Sequence, residues 1–171
     1  MPGLLDPNFF RSVVLLCAHS AEGAFGLIIN QPIALPVSAI CGEVGIPWAG
    51  DERAKVHAGG PVDRQRGWLI HDGADRYEGS QLIADGIAMT SSQEGLAAYG
   101  QDPDGRFRLV LGYAGWAAGQ LEQELAQGSW LTAPPSPAVV FDTPHDAMWR
   151  AALALVGVDP AHLVDAGTQT H

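Results

Sequence analysis

The sequence predicts an α+β fold: a single domain with a mixed, mostly antiparallel sheet flanked by three to four short helices. Three observations point there. Short apolar segments of strand character interleave with a few short segments of helical spacing. The strand segments lie too close together for regular strand–helix–strand crossovers. At least two successive strand pairs are joined by turn-forming residues and so read as hairpins.

The elements follow in order. Residues 1–8 form an irregular, proline-containing lead-in. Ser12 to Cys17 is apolar throughout and reads as a strand buried on both faces. A turn through Glu22-Gly23 leads to a second buried strand, Phe25 to Asn30, and the two make a hairpin. Pro32 ends that strand. Pro36 suits the first residue of a short helix in which Val37, Ile40, Cys41 and Val44 share one face. Residues 45–53 are loop. Lys55 to Ala58 is a short strand ending in Gly59-Gly60-Pro61, and Gly67 to His71 is another, turned by Asp72-Gly73. Gln81 to Ala84 and Ile87 to Thr90 flank Asp85-Gly86, a two-residue hairpin signal. Ser91 and Glu94 form a capping box for a helix that runs to Tyr99 and stops at Gly100. Residues 101–105 form a polar turn.

The next unit reads strand, glycine turn, helix. Phe107 to Leu111 is the strand. Gly112, Gly115 and Gly119, with Tyr113 and Trp116 between them, form the turn. Gln120 to Gln127 is the helix, stopped by Gly128. Trp130 to Ala133 is a short extended piece, and Pro134-Pro135-Ser136-Pro137 makes a stiff crossing. Thr143-Pro144-His145-Asp146 reads as a second capping box. Its helix buries Trp149, Ala152, Leu153 and Val156 and stops at Gly157. Asp159-Pro160 starts a last turn. The domain is expected to span residues 1–164, with 165–171 a frayed tail.

Composition bounds the function. At 171 residues and 47% hydrophobic, the chain can bury a sizeable core. No apolar run approaches the roughly 18 residues of a membrane span, and no secretory leader is evident, so the expected location is the cytoplasm. The formal net charge is -10, from 19 acids and nine bases, which repels phosphate backbones. Direct nucleic-acid binding would need Arg64, Arg66, Arg106 and Arg108 on one face. Two cysteines make no disulfide framework.

Four groups of residues carry candidate chemistry. Cys17 and His19, two apart on a strand, share a face and could form a thiolate dyad, although a core cysteine is the simpler reading. No tight spacing supplies further metal ligands, so neither a metal nor another cofactor is expected. His71-Asp72 resembles a base with a carboxylate neighbour, but adjacent strand residues point oppositely. Gly112 to Gln120 resembles an anion cradle yet lacks the lysine of a P-loop, and Glu122 and Glu124 would repel phosphate. A neutral or cationic ligand against Tyr113 and Trp116 stays open.

The ordered segments SVVLLCAHSAEGAFGLIINQP, HAGGPV, GWLIH, LGYAGWAAGQLEQEL, SWL and FDTPHDAMWRAAL resemble the YqgE/AlgH family of bacterial proteins, over nearly the whole chain. The resemblance implies that the sheet curls into a small barrel. It implies little about activity: some members are labelled transcriptional regulators, and with no helix-turn-helix and an acidic chain any regulation would be indirect, through a small-molecule or protein partner. Carried onto this chain, the family positions are Asn30, Pro32, Gly59, Gly60, Pro61, His71, Gly112, Tyr113, Gly115, Trp116, Gln120 and Glu124, expected to converge on one ligand-binding cleft. Family members usually carry another apolar strand before the segment matching Met1-Pro2-Gly3, which implies an open edge strand here. Gln31 stands where arginine or lysine is common. The expectation is a cytosolic ligand- or protein-binding module. The alternative is a small hydrolase or transferase using His71 or Cys17. An apolar cleft would mark the first, and converging polar side chains with a strongly perturbed His or Cys the second.

Overall fold

The computed structural model describes residues 11–49, 53–72, 80–91, 93–100, 106–159 and 161. Strands β1 (Val14–Ser20) and β2 (Gly23–Ile28) form the expected antiparallel hairpin. β3 (Pro32–Pro36) leads into helix α1 (Val37–Glu43). β4 (Lys55–Ala58) and β5 (Val62–His71) follow, then the hairpin of β6 (Gln81–Ala84) and β7 (Ile87–Thr90) around Asp85-Gly86. Helix α2 (Gln93–Gly100) precedes the longest strand, β8 (Phe107–Ala117). Helix α3 (Gln120–Ala126), a π-helical turn (Ala138–Asp142) and helix α4 (His145–Ala154) follow. The expected lead-in at 1–8, the polar turn at 101–105 and the tail at 165–171 lie outside the described residues.

The strands run in the order β1-β2-β8-β5-β7-β6, all antiparallel. β4 joins β8 in parallel at His57↔Val110 and Ala58↔Leu111, and β3 pairs with β4. The sheet is therefore mixed, and it nearly closes into a barrel. Everything is organised on β8. Its first part lies against β5, from His71↔Phe107 to Gly67↔Leu111. Its last part lies against β2, from Gly26↔Ala114 to Gly23↔Ala117.

The main correction concerns residues 112–117. They are strand, not a glycine turn; only the two residues before α3 turn the chain. The burial of Gly112, Ala114 and Trp116 alternates with the more exposed Tyr113, Gly115 and Ala117, which is the period of a strand. Gly112 holds φ 81°, a left-handed value at the point where β8 exchanges β4 for β2 as neighbour. A Cβ there would sit 2.5 Å from the Gly60 carbonyl oxygen.

Other departures have local causes. β3 was expected to be a break, since Pro32 has no N–H; the proline instead starts the strand, a position that proline tolerates. β5 begins five residues earlier than its apolar pattern, because its polar first half pairs at Val62↔Tyr113. β1 is not buried on both faces: only Leu15 is buried, because β1 ends the sheet. The second capping box does not form. The Thr143 hydroxyl donates instead to the Ala138 carbonyl (3.0 Å), and Pro144 occupies the N-cap of α4. In that helix Met148, Trp149 and Leu153 are buried while Val156 beyond it is exposed. The piece at Trp130 to Ala133 is irregular rather than a strand, and the π-helical turn after the prolines had no sequence signal.

Two main clusters form the core on the two faces of β5. Leu15, Leu27, Ile29, Trp68, Ile70, Val110, Val140 and Met148 fill one side. Val37, Cys41, Val56, Leu69, Leu96 and Leu109 fill the other, beneath α1 and α2. A third cluster, Ala114, Trp116 and Leu121, lies under α3. Cys41 is thus the core residue its spacing suggested.

Candidate functional site

The family positions fall into four places. The first is a crossing of backbones. Gly59 donates its N–H to the Leu111 carbonyl (2.7 Å), and its own carbonyl accepts from Ile28 N–H (2.8 Å). Gly59, Gly60 and Gly112 are glycine because main chain packs on main chain here. Pro61 then leads into β5. Beside the crossing, the Tyr113 ring packs on Phe25 (5.1 Å between centroids) and on Trp68 (6.3 Å).

The second place is the entry to β1. Asn30 Oδ1 accepts from Val13 N–H (2.9 Å), and its Nδ2 donates to the Arg11 carbonyl (3.0 Å). Asn30 also borders an open polar hollow of about 520 Å³ at the start of α4, with Arg11, Gln31, His145, Asp146 and Arg150 around it. The third place is the far end of β5. His71 is fully buried; its Nδ1 donates to the Asp72 carbonyl (2.8 Å) and its Nε2 accepts from Ser80 Oγ (3.2 Å). The Asp72 main chain, not its carboxylate, holds the ring. His71 pairs with Phe107 at one end of β8, whereas Trp116 lies at the other.

The fourth place is the junction of β8 with α3. Gln120 Oε1 accepts from Ala117 N–H (2.9 Å) and fastens the helix start. One carboxylate oxygen of Glu124 accepts from both indoles, Trp130 Nε1 (2.9 Å) and Trp116 Nε1 (3.3 Å). The two rings meet edge to face with centroids 5.5 Å apart. Gly115 is an exposed position of β8 beside them.

Trp116 and Trp130 open onto an apolar cleft of about 390 Å³. Its walls are the edge of β1, Ile83 and Ala84 of β6, Leu121 and Leu125 of α3, the proline crossing, the π-helical turn and Trp149 of α4. Its polar groups are few: Ser12, His19, Thr132 and Ser136. Four of the seven exposed large apolar side chains among the described residues, Leu16, Leu131, Leu155 and Val156, line this cleft. His19 and Glu122 form an ion pair that straps β1 to α3 beside it, and the hydrogen bond from His19 holds the Glu122 carboxyl below its ordinary range. Of the cleft's tryptophans only Trp116 stands out in the sequence. Trp130 and Trp149 lie in segments that read as crossing and core, and the fold alone sets them around one space.

The remaining candidates serve the fold. Burial pushes the Cys17 thiol up to about 12, and its Sγ donates to the Leu15 carbonyl (3.4 Å). The β1–β2 register shifts between Leu16 and Ala18, so Cys17 packs on the core while His19 reaches Glu122, and no dyad forms. Arg108 donates to the Val140 carbonyl and, through Nη2, to the Thr143 carbonyl (2.7 Å), tying the π-helical turn to β8. Arg106 pairs with Asp142 (3.4 Å) and Arg66 covers Trp68 (4.4 Å to the ring centroid). Three of the four arginines are thus engaged locally. His57, which opens the HAGGPV segment but is not among the expected site residues, is buried with Nδ1 unpartnered among the described residues. Burial, then the charges of Arg108 and His145, pull its pKa down to about 4. Among the described residues no cluster of three His, Cys, Asp or Glu could hold a metal, and no helix is long and apolar enough to cross a membrane.

The chain resembles known proteins over nearly its whole length. Residues 1–161 match the family model described as AlgH-like, DUF179. A UPF0301 protein of Chromobacterium violaceum is 41% identical over 167 residues, covering 95% of this chain and 89% of the relative. Another from Vibrio cholerae is 42% identical over 176 residues, covering 98% and 94%. The solution structure of the AlgH protein from Pseudomonas aeruginosa superposes with a TM-score of 0.77 at 37% identity, covering 95% of this chain and 88% of that one. The crystal structure of DIP2367 from Corynebacterium diphtheriae shares the fold, with a TM-score of 0.72 at 23% identity over 97% of this chain and 86% of the other. With family model, sequence relatives and solved structure in agreement, the chain belongs to the AlgH-like family of bacterial proteins.

Proposed function

We propose that this protein is a cytosolic binding module whose site is the tryptophan-walled cleft beside β1. One observation carries the reading: a cleft of about 390 Å³, within the size range of ligand sites, is lined almost wholly by apolar side chains and rimmed by exposed leucines and a valine. Trp116, Trp130 and Glu124 are its binding group, with Glu124 holding the two indoles in place. Gly59, Gly60, Pro61, Gly112, Tyr113 and Gly115 brace the β8 wall, Gln120 fixes α3, and Asn30 and His71 secure the strands that carry it. A regulatory role would be exercised through the occupant of this cleft, not by contact with DNA, since the arginines are engaged locally and the net charge is -10.

Binding is favoured over catalysis on chemical grounds. A thiol with a pKa near 12 is protonated at pH 7, and both ring nitrogens of His71 are already hydrogen-bonded inside the core. The test is a titration with N-phenyl-1-naphthylamine, a neutral apolar fluorophore. Saturable one-to-one binding is expected, weakened about tenfold by Trp130→Ala, the loss of one buried aromatic contact. Binding that never saturates, or that Trp130→Ala leaves unchanged, refutes the reading.

A further inference from the structure

The charge of what the cleft takes can be read from the groups around it. Among the described residues its lining holds no lysine, arginine, aspartate or glutamate, and its titratable side chain, His19, is paired with Glu122. One corner is made of Trp116, Trp130, Leu121 and Leu125. Beside that corner α3 carries two carboxylates, Glu122 next to Leu121 and Glu124 next to Leu125. Glu122 has the His19 imidazole. Glu124 has the two indoles, and among the described residues no cationic side chain balances it. The Arg11 guanidinium lies over the Trp149 ring (5.1 Å to the centroid), but Arg11 lines the polar hollow at the start of α4 and not the cleft.

An anionic ligand would find no counter-charge here. Its carboxylate or sulfate would give up water and gain no cation. The indole N–H groups cannot serve it, because both donate to Glu124. For a cation the same corner is favourable. The two indoles meet edge to face, an arrangement that leaves each ring a face clear of the other. An N–H that donates to a carboxylate is polarised and drives electron density into its ring, which strengthens the attraction of the π-face for a cation. An ammonium whose N–H donors have been replaced by alkyl groups asks for no acceptor, and a corner of two indoles and two leucines offers none. We propose that the cleft selects an apolar molecule carrying an alkylated ammonium, with its chain among the leucines and valines and its cation against Trp116 and Trp130. Glu124 is the positioning residue of this site: it acts through the rings, holding them and supplying the negative charge behind them.

This inference rests on the cleft's being the binding site, and the experiment separates the two. N-phenyl-1-naphthylamine is neutral and reports on the cleft. Its displacement is followed with octyl compounds that differ only in head group: octyltrimethylammonium, octan-1-ol and octanoate. The cation is expected to displace the fluorophore at a concentration about tenfold below that of the alcohol, with octanoate the weakest. Glu124→Gln keeps an acceptor oxygen for the indoles and removes the charge. It is expected to lower the ratio of cation to alcohol affinity by about tenfold, toward one. Equal displacement by cation and alcohol, or a preference for octanoate, overturns the charge selection and leaves a neutral apolar site. So does a Glu124→Gln protein that weakens cation and alcohol alike, since a carboxylate with a structural role alone leaves their ratio unchanged. Should that variant not fold, the order of the head groups on the wild-type protein decides by itself. Failure of the fluorophore to bind removes the cleft, and the inference with it.

Discussion

His57 shows how a single buried residue ties stability to pH. Its imidazole is enclosed at the β4–β8 junction and faces Arg108 and His145, so the neutral form is the one the fold accepts. Its pKa falls from 6.5 unfolded to about 4 folded. Between those values the unfolded chain takes up a proton and the folded chain does not. Stability from this group is therefore full above pH 6.5 and is lost as the pH falls toward 4, by about 3 kcal/mol in all. Urea denaturation at a series of pH values is expected to show this slope, and His57→Phe is expected to flatten it. A wild-type slope that persists in the variant would assign the effect to other groups. Glu124 is the other residue whose role lies in its surroundings: as one carboxylate serving two indoles, it is a positioning residue for the cleft wall.

At the scale of elements, β8 meets β4, β5 and β2, and the left-handed Gly112 stands where its neighbours change. Two glycines seven positions apart in this region separate two physical effects. Gly112 and Gly119 have nearly the same backbone angle, φ 81° and φ 76°. A Cβ on Gly119 meets nothing within 4 Å, while one on Gly112 strikes the Gly60 carbonyl. Gly119→Ala is expected to cost about 1–2 kcal/mol, the left-handed strain alone. Gly112→Ala adds a main-chain clash and is expected to cost about 4 kcal/mol or more, or to prevent folding. Chemical denaturation of the two variants checks this, and equal costs would refute the crossing as the reason for the glycine. Arg108 plays the corresponding part for the π-helical turn, whose carbonyls it holds against β8.

At the scale of the molecule, a sheet that nearly closes into a barrel is not uniformly stable. Among the described residues β8 and β5 are held on both sides, whereas β1 and β6 are each held on one. Native-state amide exchange is expected to be slowest at Leu109 and Val110 of β8 and Leu69 and Ile70 of β5, and fastest at Val14, Leu16 and Leu82. Uniform protection across the sheet would contradict that difference between central and outer strands. The same asymmetry explains why apolar surface collects where it does: the exposed leucines of β1 and of the proline crossing face a space that the chain's described residues leave unfilled.

The sequence by itself determined the fold class, both hairpins, the Val37 and Cys41 part of the α1 face (Val44 is instead an exposed C-cap) and the span of α3 to within a residue or two. Each rests on a local signal: Asp85-Gly86 turns, Val37 and Cys41 share a helix face, and Gly119 and Gly128 bracket a helix. It also marked Trp116, Gln120 and Glu124, which the fold does bring together. What only the tertiary structure decided is relational. Gly112 to Ala117 is strand because β2 lies beside it, a pairing between residues about ninety positions apart that no local propensity encodes. The polar start of β5 is strand for the same reason. Trp130 and Trp149 line one cleft because α3, the proline crossing and α4 converge on β1, and His71 lies at the opposite end of β8 from Trp116. Local physics chooses an element's type; which edges remain open, and what surrounds the space between them, is settled only when the sheet curls.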